Sequence, residues 1–142
     1  MNSKILRFIQ YYTRLCGTND PFVIANYLNI EVFRCPLGRI SGYYKYLKRH
    51  KCIYINSDLE DSFSKVVMAH ELGHAVLHPK ENCAFMSRHT LLLTSKIERQ
   101  ANLFAAHLLI TDDILQEYQG YTREQLSSGT GLPIELINLR LQ

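Results

Sequence analysis

The sequence predicts an α+β fold in which a small antiparallel sheet packs against helices, one of them carrying His70-Glu71-Leu72-Gly73-His74. Three observations predict it. An apolar stripe at helical spacing opens the chain, three short segments rich in β-branched and aromatic residues follow, and the remainder alternates apolar helical runs with caps. Residues 3–16 place Ile5, Phe8, Ile9, Tyr12 and Leu15 on one helical face, and Gly17 stops the run. Asp20-Pro21 supplies a cap and a first-turn proline for a short helix through Leu28. Residues 30–34, 41–47 and 51–56 read as strands, with Pro36 and Gly38 marking the first turn. Lys48-Arg49-His50-Lys51 reads as a solvated hairpin tip.

Ser57 and Glu60 match a capping box ahead of a long helical stretch that Pro79 closes, and residues 79–93 read as a loop. A second strong helix runs from about Ser95 to Leu109, with Ile97, Ala101, Phe104, Ala105 and Leu108 on one stripe. Shorter amphipathic pieces follow over 112–118, 122–128 and 133–141. No repeat, low-complexity tract or linker interrupts the 142 residues, so residues 1–142 are expected to form one domain. With 46% apolar and 20% charged residues the composition is globular. A formal charge of +3 is too mild to argue for nucleic acid. Cys16, Cys35, Cys52 and Cys83 form no C-x-x-C pair, which disfavours a zinc-finger or thioredoxin-type site. No apolar run approaches a membrane span, and charge breaks the amino terminus before a signal-like stretch develops. A cytoplasmic protein with reduced cysteines is expected.

The chemistry lies in His70-Glu71-Leu72-Gly73-His74, an H-E-x-x-H pattern. Four residues of helix span just over one turn and about 6 Å, so both imidazoles project from one face and can bind one Zn²⁺. Glu71 lies beside the metal, placed to take a proton from water and return it to a leaving amine. Shuffling this composition would produce the pattern in about one sequence per hundred. The apolar flanks Met68-Ala69 and Ala75-Val76-Leu77 argue against an exposed polar face, because buried imidazoles and a carboxylate are costly without a partner.

A catalytic zinc needs a third protein ligand. His78 continues the series but lies about 12 Å along the axis from His70, so it reads as a structural residue at the helix end. His89 and His107 have no supporting pattern. Glu98, 24 residues after His74, is better placed. It also completes a Ser95-x-x-Glu98 capping box, and the two readings compete. Asn102 shifts the balance towards the ligand, since at i+4 it shares a face with Glu98 and its amide oxygen can accept the outer N–H of a ligand histidine. Tyr43, Tyr44, Arg88, His89 and Arg99 all remain open as donors to a developing oxyanion. The 41–47 strand is a candidate for pairing with an extended substrate.

Residues 68–78 together with Glu98-Arg99-Gln100-Ala101-Asn102-Leu103-Phe104-Ala105-Ala106-His107-Leu108-Leu109 resemble the ImmA/IrrE metallopeptidases of phages, integrative elements and some bacterial chromosomes. The likeness extends over roughly residues 20–110. It implies a minimal zincin-like fold in which His70, His74 and Glu98 bind zinc and Glu71 is the catalytic carboxylate. It also implies a protein substrate, a helix-turn-helix repressor of a mobile element. Longer members of the family add a DNA-binding domain, but no helix-turn-helix is read in this chain, so no direct nucleic-acid contact is expected, and no membrane contact either. Asn102 departs from the broader pattern, where an aspartate is common, and a neutral amide orients its histidine less strongly. Two functions follow. One is a zinc-dependent endopeptidase; the alternative is a metal-stabilised binding module that antagonises a repressor without cleaving it.

Overall fold

The structure, a computed structural model, describes residues 2–142. Helix α1 (Asn2–Cys16) ends at Gly17, whose φ of 70° breaks the helix. Helix α2 (Pro21–Tyr27) is capped as its sequence predicts, with the Asp20 carboxylate accepting from the Phe22 backbone N–H. Strands β1 (Glu31–Cys35), β2 (Gly42–Leu47) and β3 (His50–Asn56) fall within a residue or so of their expected places. β2 and β3 form a hairpin closed by Lys48 and Arg49, both in left-handed backbone (φ 49° and 66°) that suits a two-residue turn.

Residues 79–93 are more ordered than a loop. They contain a three-residue strand, β4 (Cys83–Phe85), and a 3-10 turn over Arg88–Leu92. Three residues are too few to show a periodicity. β4 exists because β2 offers a free edge, pairing Gly42 with Phe85 and Tyr44 with Cys83.

The sheet order is β1-β3-β2-β4, and the sheet is mixed. The α+β class and the helix-packed sheet stand, but β1 runs parallel to β3, where an antiparallel partner was expected. Asn56 provides the physical reason. Its buried side chain donates to the carbonyls of Gly38 (3.1 Å) and Ile40 (3.0 Å), and its backbone N–H donates to Ser41 (2.9 Å). Ser57 N–H reaches back to Cys35. The 36–41 segment is thereby wrapped past the end of β3, carrying the chain from one side of that strand to the other.

Helix α3 (Asp61–Leu77) begins three residues later than the Ser57 capping pattern suggests. Glu60 occupies the cap position without a side-chain bond. Residues 57–60 instead turn the chain out of β3, with Asp58 N–H donating to the Asn56 side chain and Leu59 N–H to the Asn56 carbonyl. The helix then runs between the sheet and α4 (Lys96–Leu109), and residues 66–75 are buried on every side. Tyr44, Ile53 and Ile55 cover it from the sheet, while Phe8 of α1 packs on Phe104 of α4. On the sheet's outer face Phe33, Tyr54 and Tyr43 stack in a row.

Helices α5 (Asp112–Glu117), α6 (Arg123–Thr130) and α7 (Ile134–Arg140) complete the described residues. α6 is bounded by a full Thr122/Gln125 capping box and by Gly131 in left-handed backbone, and α7 packs on α4. No helix among the described residues is long and apolar enough to cross a membrane.

β2 lies on α3 at a separation set by Gly42. A Cβ there would fall 2.6 Å from Val67 Cγ1 and 2.9 Å from the Tyr54 carbonyl oxygen. Gly42→Ala is therefore expected to destabilise the protein by about 1–3 kcal/mol, read as a lower denaturant midpoint, and Val67→Ala in the same chain to restore part of the loss.

Candidate metal centre

Helices α3 and α4 approach closely at Gly73. A Cβ at that position would sit 3.1 Å from Phe104 Cβ and 3.2 Å from Ala101 Cα. This contact decides what Glu98 does. Ser95 holds the cap position of α4 but makes no side-chain cap bond. The Glu98 carboxylate, which a capping box would have used at the helix end, instead reaches across to α3. Its Oε1 is 2.8 Å from His74 Nε2 and its Oε2 is 3.1 Å from His70 Nε2. The two imidazole Nε2 atoms are 3.1 Å apart. His70 and His74 are fully buried, and the Glu98 side chain is 12% exposed.

Burial, opposed by Glu98, holds His70 below the ordinary imidazole range, so the neutral ring with a free lone pair is favoured. Burial alone would raise Glu98, but the hydrogen bonds and charges of the two histidines outweigh it and hold its carboxyl down to about 2. Two nitrogen lone pairs 3.1 Å apart repel unless a proton or a cation lies between them, and Glu98 supplies the matching negative charge.

His70, His74 and Glu98 are thus a group whose donor atoms can hold one metal ion. Ligands at about 2.0–2.1 Å from a tetrahedral ion are about 3.4 Å from one another, so these separations need to open by about 0.3–0.6 Å. Glu71, one step round α3, is fully buried, and neither carboxylate oxygen has a well-aligned hydrogen-bond partner. Burial first, then the charge of Glu98, pushes its pKa well above the ordinary carboxylate range, while the Tyr44 backbone N–H pulls the other way.

Asn102 is buried beside His70, with its Nδ2 donating to the Thr90 carbonyl at 3.0 Å. That bond leaves the amide oxygen for His70. Oδ1 of Asn102 and Nδ1 of His70 have no well-aligned partner, yet the amide is near enough to favour the protonated ring. His78 terminates α3. It does not join the cluster, but its Nδ1 lies 3.4 Å from His74 Nδ1, and its Nε2 meets Oε1 of Gln100. Spacing could not have revealed Gln100. It lies about 200° round the helix from Glu98, off the ligand face.

Phe85 and Cys83 were also missed. The Phe85 ring meets His70 edge-on with centroids 4.9 Å apart. Burial, Glu98 and Glu71 push the Cys83 thiol up to about 12, so it borders the site as a neutral thiol. His89 is exposed on the 3-10 turn, and half-buried His107 faces Arg140 and Asp112.

Several open assignments narrow. Tyr44 hydroxyl donates to the Pro79 carbonyl, Tyr43 stacks on Tyr54 on the outer face, and Arg88 is held by Glu135. His89 and Arg99 remain as exposed side chains. β2 is paired on both sides over Gly42–Tyr44, so it offers no edge there to an extended chain. β4 forms the sheet edge on this side.

Residues 25–142 match the family profile of the IrrE N-terminal-like domain, peptidase M78. The chain is similar to uncharacterized immunity region protein 2 of Bacillus phage phi105, with 38% identity over 143 residues, 99% of this chain and 88% of that protein. It is also similar to the metallopeptidase ImmA of Bacillus subtilis (strain 168), with 31% identity over 139 residues, 94% of this chain and 81% of that protein.

Ion binding at this cluster is expected to be linked to folding. Zn²⁺ at one hundred times its dissociation constant should add about 2.7 kcal/mol of stability. For a chain of this length that is about 5–10 °C in melting midpoint. The shift should vanish in His74→Ala and in Glu98→Ala; an equal shift in those variants would place the ion elsewhere.

Proposed function

This chain belongs to the IrrE N-terminal-like family of peptidases, and from that premise we propose that it is a zinc-dependent endopeptidase that cleaves a helix-turn-helix repressor of a phage or mobile element. The observation that carries the proposal is Glu71: a desolvated carboxylate whose oxygens lack a well-aligned hydrogen-bond partner, beside a His70/His74/Glu98 cluster. A packed interior would not keep such a group without a task, because burying it uncompensated is costly.

In this reading His70, His74 and Glu98 hold the ion. When bound, it supplies Lewis acidity that acidifies water towards neutrality and polarises a carbonyl. Glu71 takes the proton of the attacking water. Desolvation makes it a stronger base than an exposed carboxylate, which suits that role, and the protonated acid then delivers the proton to the leaving amine nitrogen. Asn102 orients His70 through its amide oxygen. The free edge of β4, whose Phe85 packs on His70, is where an extended segment of substrate would add as a further strand. The phage immunity-region relative supports a target in the control of a phage, and the repressor class follows from the family resemblance. The proposed site of action is the cytoplasm, where such a repressor acts.

Incubation of the protein with a candidate repressor tests this reading on a gel. Fragments should appear with Zn²⁺ and disappear with a chelator. Glu71→Gln should keep its metal yet cleave about 10²–10⁴-fold more slowly. Full activity in Glu71→Gln would overturn the mechanism. An intact repressor held in a stable complex would favour the binding-module reading instead.

A further inference from the structure

We propose that His78 and Gln100 are positioning residues: Gln100 holds His78 in the tautomer that accepts a hydrogen bond from Nδ1 of His74, which leaves the Nε2 lone pair of His74 facing the metal cluster. The inference rests on the reading that His70, His74 and Glu98 hold a divalent ion.

The tautomers follow from which atoms can donate. Oε1 of Gln100 is a carbonyl oxygen and can only accept, so the His78 Nε2 that meets it carries the hydrogen. A neutral imidazole protonated there has its lone pair on Nδ1. That atom faces Nδ1 of His74 at 3.4 Å. Two lone pairs would repel at this distance, so the hydrogen sits on Nδ1 of His74 and is donated to His78. The one lone pair left on His74 is then on Nε2, the atom 3.1 Å from His70 Nε2 and 2.8 Å from Glu98 Oε1.

His74 is fully buried and Gln100 nearly so, which limits competition from water along this chain. The imidazole of His78 is not needed to end the helix. The cap is made by its backbone N–H, which donates to the His74 carbonyl at 2.8 Å. Ligand histidines usually give their outer N–H to a carboxylate or carbonyl oxygen. Here a neutral ring takes that place, so the arrangement orients His74 without adding a further negative charge beside Glu98 and Glu71.

Two measurements on the full zinc-loaded chain test the proposal. Two-bond ¹H–¹⁵N correlation of ¹⁵N-histidine-labelled protein should find the proton of His74 on Nδ1 and that of His78 on Nε2. Chelator competition should show His78→Leu binding Zn²⁺ about 10–100-fold more weakly than the parent. Gln100→Leu should lie between the two. His78→Asn, which returns an acceptor oxygen near the position of Nδ1, should recover most of the affinity. Melting of the metal-free variants separates a structural effect, which would lower stability without touching affinity. Parent-like zinc affinity in His78→Leu, or a His74 Nδ1 without its proton, would overturn the proposal. If His78→Leu does not fold, the parent spectrum and His78→Asn still decide it. A parent chain that binds no Zn²⁺ would overturn the underlying metal reading as well.

Discussion

Three electron-pair donors from two helices meet in an interior from which water is largely excluded, and the rest of the molecule is arranged around that meeting. His70 and His74 present nitrogens 3.1 Å apart, and Glu98 closes the triangle at 2.8 and 3.1 Å. In water such a grouping would be unremarked, since solvent would separate and screen it. In a dry core it persists only with positive charge among its members, supplied by protons or by a metal ion. The same desolvation makes Glu71 a stronger base than an exposed carboxylate and favours the neutral, lone-pair-bearing ring of His70.

The scaffold meets this demand by bringing backbones close together. Gly73 lets α3 approach Ala101 and Phe104 of α4, and Gly42 lets β2 lie down on Val67 from the other side. Neither glycine is required by its own backbone angles; each is required by the atom opposite. With α3 held from both sides, its polar residues do not have the usual option of turning towards solvent. Side chains of α4 stand behind their outer atoms instead, Asn102 beside His70 and Gln100 on Nε2 of His78. Thr90, Phe85 and Cys83 fill the remaining side from the segment between the helices.

Much of the secondary structure was legible because it is locally encoded. The Asp20-Pro21 cap, the stripe of α1, the stop at Gly17 and the three strands each depend on neighbours in the chain. The failures share a cause. Ser57 and Glu60 look like a cap, yet Asn56 recruits the following residues to leave the strand. Ser95 and Glu98 look like a cap, yet an imidazole pair across the interface holds the carboxylate more strongly than a backbone amide at the helix end. The direction of β1 and the existence of β4 depend on partners distant in sequence.

By itself the sequence determined that two imidazoles and a carboxylate share a turn of an apolar helix, because helical geometry converts spacing into direction without reference to anything else. It also presented Glu98 and Asn102 on one face of a second helix. Tertiary structure alone decided that this face meets the first, that Glu98 turns from its own helix end towards the histidines, and that His78 and Gln100 complete a line of hydrogen bonds behind His74. The physical reason is range. Helix periodicity acts over a few residues, whereas the choice among competing partners for a carboxylate or a ring nitrogen is made only when the chain has folded and water has left.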